Sequence, residues 1–111
     1  MNSTLELEIN QLHAEVCGGL ADPSRIKILY ELSTGPKNVT ELCNALQMSQ
    51  PMVSRHLKVL RERRMVSAER HGTIMLYSLN DIRLIQALDL LRAVMRDALL
   101  KQAALAEAIK E

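Results

Sequence analysis

The chain has 111 residues, 48% of them hydrophobic, contains neither Phe nor Trp, and carries a net charge of +1. That length suits a single domain, residues 1–111, whose modest core must be aliphatic and Met-rich. No stretch approaches the ~20 apolar residues of a membrane span, the N-terminus lacks the charged and apolar regions of a signal peptide, and a near-neutral whole-chain charge does not announce nucleic acid; a cytoplasmic protein is expected.

In chain order, the first element repeats apolar residues at Leu5, Leu7, Ile9, Leu12 and Val16 and ends at Cys17-Gly18-Gly19. A helix there would carry an apolar stripe in need of a partner. Asp22-Pro23 is an N-cap followed by proline at the first helical position, and Ile26, Ile28, Leu29 and Leu32 give the next helix its inner side. The breakers Ser33-Thr34-Gly35-Pro36 stop it. Thr40 is expected to cap a short helix over Glu41–Leu46, with Gln47-Met48 as the turn before Ser49. Two short helices so joined make a helix-turn-helix. Beyond them, Met65–Arg70 and Thr73–Leu79 are strand candidates separated by a His71-Gly72 hairpin. From Asp81 to Glu111 one helical pattern runs through Leu84, Ile85, Leu88, Leu91, Met95, Leu99, Leu105 and Ile109 without Pro or Gly. At 1.5 Å per residue it could reach about 45 Å, longer than so small a domain covers by itself. The fold class is therefore mostly α with a small β-hairpin wing, a winged helix-turn-helix whose last helix needs another chain to cover part of its apolar side.

The segment with the most chemistry is Ser49–Arg61. Ser49 can accept a hydrogen bond from the first-turn backbone, and Pro51 tolerates only first-turn positions, so a helix starts here. Val53, Leu57 and Leu60 fall on one face at three- and four-residue spacing. The opposite face carries Gln50, Ser54, Arg55, Lys58 and Arg61, side chains able to read base edges and neutralise phosphates in a major groove. Gln50, Ser54 and Arg55 are the candidate base contacts. Lys58 and Arg61, with Arg70, His71 and Thr73 of the wing, are expected to hold phosphates or reach the adjacent minor groove. Ser49 and His56 complete the candidate DNA-binding set; His56 lies at the edge of the inward face, suited to a structural or phosphate hydrogen bond rather than a metal. Between Ser54 and Gly72 six Lys and Arg face only Glu62 and Glu69. A local excess of four positive charges in a chain of net +1 confines the basic character to the reader helix and wing, the footprint of duplex DNA.

These residues together resemble the ArsR/SmtB family of winged-helix repressors. Leu20-Ala21-Asp22-Pro23-Ser24-Arg25 is similar to that family's second-helix start, Ser49-Gln50-Pro51 with Ser54-Arg55-His56-Leu57 to its recognition helix, and Arg70-His71-Gly72 with Tyr77-Ser78-Leu79 to its wing. The likeness runs from about Val16 to Asp81. It implies a homodimer built from the first and last helices, binding a palindromic operator and blocking transcription until an effector, here unidentified, releases it. In the family's metal sensors a Cys-x-Cys-Asp-Leu motif holds a soft ion; the matching stretch here is Asn38-Val39-Thr40-Glu41-Leu42, without thiolates. The family's other site uses Asp and His on the last helix, where this chain has Asp81 followed by Arg83. No metal and no cofactor is expected.

Cys17 and Cys43 leave two readings open. Free cysteines behave as small buried hydrophobes, but the pair could also form a two-thiol sensor of metalloids or oxidants. Other classes fare worse. There is no Gly-rich phosphate loop, nucleophile elbow or paired-carboxylate arrangement, the cysteines lack redox spacing, and His13, His56 and His71 sit in separate elements, so no enzyme is expected. A winged-helix adaptor dimer that does not read DNA is the remaining alternative.

Overall fold

The structure is a computed structural model that describes residues 1–110. Two compact units divide it, Met1–Asp81 and the C-terminal segment from Ile82. Glu111, placed in the last helix by the sequence pattern, lies outside the described residues.

Within the first unit, α1 spans Ser3–Gln11, capped by the Asn2 side chain, which accepts from the Leu5 amide at 2.7 Å. It continues into a π-helical stretch, Leu12–Cys17. No residue of α1 is buried, and Leu5, Leu7, Ile9 and Leu12 are all exposed. Helix α2 covers Pro23–Leu32, with the Asp22 carboxylate accepting from the Ser24 amide at 2.7 Å and proline in the first turn. Helix α3 runs Val39–Leu46 and corrects the expected start: Asn38, not Thr40, is the N-cap. Asn38 Oδ1 accepts from the Glu41 amide at 2.8 Å while Glu41 Oε1 accepts from the Asn38 amide at 3.0 Å. That reciprocal pair satisfies two amide groups at once, more than a lone hydroxyl cap can. Gln47 ends α3 in the left-handed conformation, φ 54°, and α4 follows over Gln50–Glu62 with Ser49 as its cap.

The apolar stripes of these helices converge. Ile28, Leu29, Leu42, Val53, Leu57 and Leu60 are all fully buried. Each such side chain stabilises the fold by about 1.5–3 kcal/mol relative to exposure, so this small aliphatic cluster fixes the angle between α3 and α4. Arg64, at φ 61°, turns the chain out of α4, and the Met65 amide closes that turn onto the Leu60 carbonyl at 2.9 Å.

The wing is an antiparallel hairpin of β1, Val66–His71, and β2, Ile74–Leu79, paired from Val66↔Leu79 to His71↔Ile74. The register makes Gly72-Thr73 the turn, one residue beyond the expected His71-Gly72. Only Gly72 has positive φ, +65°, the pattern of a II′ hairpin turn, which takes glycine at its first central position. Lys37 adds a third, single-bridge strand: its amide donates to the Tyr77 carbonyl at 3.0 Å and its carbonyl accepts from the Tyr77 amide at 2.8 Å.

In the second unit, α5 spans Arg83–Lys110, two residues shorter at its start than expected. Its 28 residues extend about 42 Å. Ile85 and Leu88 are buried, whereas Leu90, Leu91, Val94, Met95, Leu99, Leu100, Leu105 and Ile109 are exposed.

Candidate nucleic-acid interface

Helix α4 has two chemically distinct sides because its periodicity puts them there. Val53, Leu57 and Leu60 face the core, and Gln50, Ser54, Arg55, Lys58 and Arg61 are all exposed. Ser49 Oγ accepts from the Met52 amide at 3.4 Å, and its hydroxyl hydrogen can still donate outward. The leading turn, with Gln50 and then Ser54 and Arg55, is thus unobstructed, the geometry required of residues that approach base edges end-on.

Between α4 and the wing lies an open recess of about 410 Å³ lined by Ser54, Lys58, Arg61, Glu62 and Tyr77. Two cations and two hydroxyls against one carboxylate suit it to an anionic backbone. Tyr77 was not among the sequence candidates, although its place at the middle of the second strand, alternating with Met75 and Leu79, was a usable signal. At the wing tip Arg70, His71 and Thr73 are exposed. Strand alternation sets Arg70 on the Val66 side and Glu69 with His71 on the other, where the His71 ring lies 3.7 Å from the Glu69 carboxylate.

Two basic side chains of this region turn inward. His56 is 6% exposed, so its assignment to the DNA-contacting set is corrected: its Nδ1 lies 3.4 Å from Arg25 Nη1, beneath the surface. Its spacing explains this, because Val53, His56, Leu57 and Leu60 form one i, i+3, i+4, i+7 face. Arg25 in turn donates through Nε to the Gly19 carbonyl at 2.8 Å and through Nη2 to the Gly18 carbonyl at 3.4 Å. Asp22 belongs to the same junction. The Ser24 amide holds its carboxyl below the usual aspartate range; burial opposes this, and the charges of His56 and Arg25 reinforce it. Arg63, counted in the basic stripe, donates through Nη1 to the Ala14 carbonyl and, at 3.1 Å, to the Glu15 carbonyl. The outward cationic face is therefore narrower than the sequence tally suggests.

The cysteines stand on separate elements. Cys17, exposed, ends the π-helical stretch, and Cys43, half-buried, lies on α3; both are free thiols. Cys17, being exposed, is not the small buried hydrophobe that one of the two sequence readings makes it. Asn38 and Glu41, at the position of the family's thiolate motif, are occupied with each other in the α3 cap. Among the described residues no group of three or more His, Cys, Asp or Glu side chains could hold a metal ion, and no helix is long and apolar enough to cross a membrane.

Residues 22–68 match the bacterial regulatory protein, arsR family. The chain is 43% identical over 76 residues to the HTH-type transcriptional regulator NmtR of Mycobacterium tuberculosis, a match spanning 68% of this chain and 63% of that protein. It is 42% identical over 74 residues to the transcriptional repressor SmtB of the same organism, spanning 67% of this chain and 55% of the repressor. The matched stretch thus spans less than two thirds of either curated relative. Among solved structures, the homodimeric winged helix-turn-helix DNA-binding domain of a possible ArsR-family regulator from Mycobacterium bovis has a TM-score of 0.74 at 25% identity, covering 89% of this chain and 91% of that one. NolR from Sinorhizobium fredii has a TM-score of 0.72 at 28% identity, covering 85% and 94%.

Proposed function

We propose that this chain, whose residues 22–68 match the arsR family of bacterial regulatory proteins, is a member of that family and acts as a homodimeric, sequence-specific DNA-binding repressor, released by an effector and without enzymatic activity. The observation that carries this reading is the capped α4: its inner face is buried and its outer face exposes Gln50, Ser54, Arg55, Lys58 and Arg61 together. Residues 1–111 work as one functional domain in the cytoplasm, and two protomers pair through the exposed stripes of α1 and α5. Their α4 helices enter successive major grooves of a roughly palindromic operator, about 34 Å apart.

Gln50 pairs with adenine and Arg55 with guanine, each able to make two parallel hydrogen bonds, and Ser54 bonds to either edge. Ser49, Lys58 and Arg61 hold phosphates. Arg70, His71 and Thr73 carry the wing to the backbone or the neighbouring minor groove. Occupancy of a promoter then excludes the transcription machinery.

Selection of binding sites from random duplexes, followed by anisotropy titrations at several salt concentrations, tests the assignment. Arg55→Ala should lose about 1–3 kcal/mol on the selected duplex and relax the sequence preference, whereas Lys58→Ala should weaken all sequences alike and lower the salt slope by about 1. An adaptor that does not read DNA would select nothing.

A further inference from the structure

The end of the first helical segment is held by two arginines, Arg25 at the start of the next helix and Arg63 far along the chain. Arg63, the residue that closes α4, reaches back 48 and 49 positions to the Glu15 and Ala14 carbonyls. Its planar, permanently charged fork meets carbonyl acceptors near the C-terminal end of a helical segment, where the helix dipole is negative. The approach is so close that a side chain on the glycines opposite would have to displace it. A Cβ on Gly18 would lie 2.5 Å from Arg63 Nη1, and one on Gly19 would lie 3.1 Å from Arg63 Cδ and 2.7 Å from Met65 Sδ. Neither glycine has positive φ, so close approach, not backbone conformation, is what they provide. Arg25 fixes the same Gly18-Gly19 segment from α2 and touches His56 in the middle of α4.

The first helical segment is thereby tied to α4 at two points, at its middle through Arg25 and at its end through Arg63. Yet α1 itself buries nothing within the protomer and presents its apolar residues outward. A helix with no core contacts of its own, clamped at its base to the reader helix, transmits orientation rather than adding stability.

We propose that Arg63 is a positioning residue: by locking the base of α1 to the end of α4 it sets the spacing between the two reader helices of the dimer. The inference rests on the dimeric DNA-reading function proposed above. Two reader helices on one dimer are linked binding modules, and the second half-site is engaged at an effective concentration that depends on how stiffly they are held. Loosening the clamp lowers that concentration while leaving each helix's own contacts intact.

The test uses the full chain and the duplex selected by the wild-type protein, together with a duplex keeping one half-site and another with two extra base pairs between the half-sites. Arg63→Ala should lose about tenfold on the intact duplex and less than about twofold on the single half-site, and its discrimination against the widened duplex should narrow. Sedimentation should still give a dimer. Gly18→Ala, which drives the guanidinium off its carbonyls while keeping Arg63, should change spacing discrimination in the same direction, and Arg63→Lys should fall between wild type and Arg63→Ala. Equal losses on the intact and half-site duplexes would make Arg63 a DNA contact and overturn the proposal. So would unchanged spacing discrimination, with or without a lower melting temperature. A wild-type protein that selects no duplex removes the DNA-reading function itself, and this inference with it.

Discussion

Helices α4 and α5 carry the same kind of apolar repeat and meet opposite fates. In α4 the stripe of Val53, Leu57 and Leu60 is wholly covered by the protomer's own helices, whereas in α5 Leu91 is 62% and Val94 67% exposed. Periodicity therefore specifies that a face exists, not what covers it. Length decides between the two cases: 13 residues fit within the reach of α2 and α3, and 28 residues outrun a domain of this size. The polar side differs as well. On α4 it is dominated by cations and amide or hydroxyl groups, whereas on α5 acids and bases alternate, as with Asp89 and Arg92, paired at 3.4 Å.

Substitutions on the two stripes should separate these roles. Leu57→Ala removes a fully buried side chain and should cost about 2–5 kcal/mol in denaturant unfolding, through lost transfer energy and the cavity left behind. That loss should be the same at every protein concentration. Leu91→Asp replaces an exposed residue and should weaken self-association by more than about tenfold, shifting micromolar protein from dimer to monomer in sedimentation. The wild-type melting temperature should correspondingly rise with concentration, and that of Leu91→Asp should not. If Leu91→Asp remains dimeric, the α5 stripe is not the seam.

Two smaller effects concern the junctions around α4. The Asp22 carboxyl is depressed in the folded state, so its stabilisation is present above the ordinary aspartate range and disappears as pH falls through the lowered native value. Asp22→Ala should consequently destabilise at neutral pH, with the difference from wild type closing in strong acid, as followed by circular dichroism melts. At the α3 cap, where Asn38 and Glu41 engage each other, no change is expected: Zn(II) and Cd(II) should leave operator affinity unaltered, since neither group offers a thiolate. A response to As(III) or oxidant, if one is measured, should require both Cys17 and Cys43 and vanish in either Ser variant.

What was legible in the sequence was whatever depends on neighbours. Asp22-Pro23 and Ser49 with Pro51 mark the starts of α2 and α4 because caps act within three residues, and the strand pair follows from alternation around a glycine turn. The Asn38 cap was equally local. Asn38-Val39-Thr40-Glu41 carries the capping-box spacing, and Thr40 was the weaker choice. His56 could have been placed from its core-facing spacing. Arg63 could not: its acceptors are 48 and 49 residues away, and nothing near it in the chain distinguishes it from Arg61 or Arg64. The base-contact assignments rest on outward exposure, which periodicity predicts well, and on operator chemistry, which no feature of a single chain encodes.

The single-bridge pairing of Lys37 with Tyr77 bears on how the hairpin avoids unwanted strand pairing. A bare two-stranded ribbon offers unpaired backbone along both margins and is marginal alone. With Lys37 laid against β2, one margin is closed at its centre, and the strand that keeps an open margin, β1, carries Ser67, Glu69, Arg70 and His71. Charged, short margins are poor templates for adding a stranger's strand. The hairpin can thus stand exposed without seeding edge-to-edge aggregation, as the proposed DNA-probing wing and the proposed pairing through the terminal helices both require.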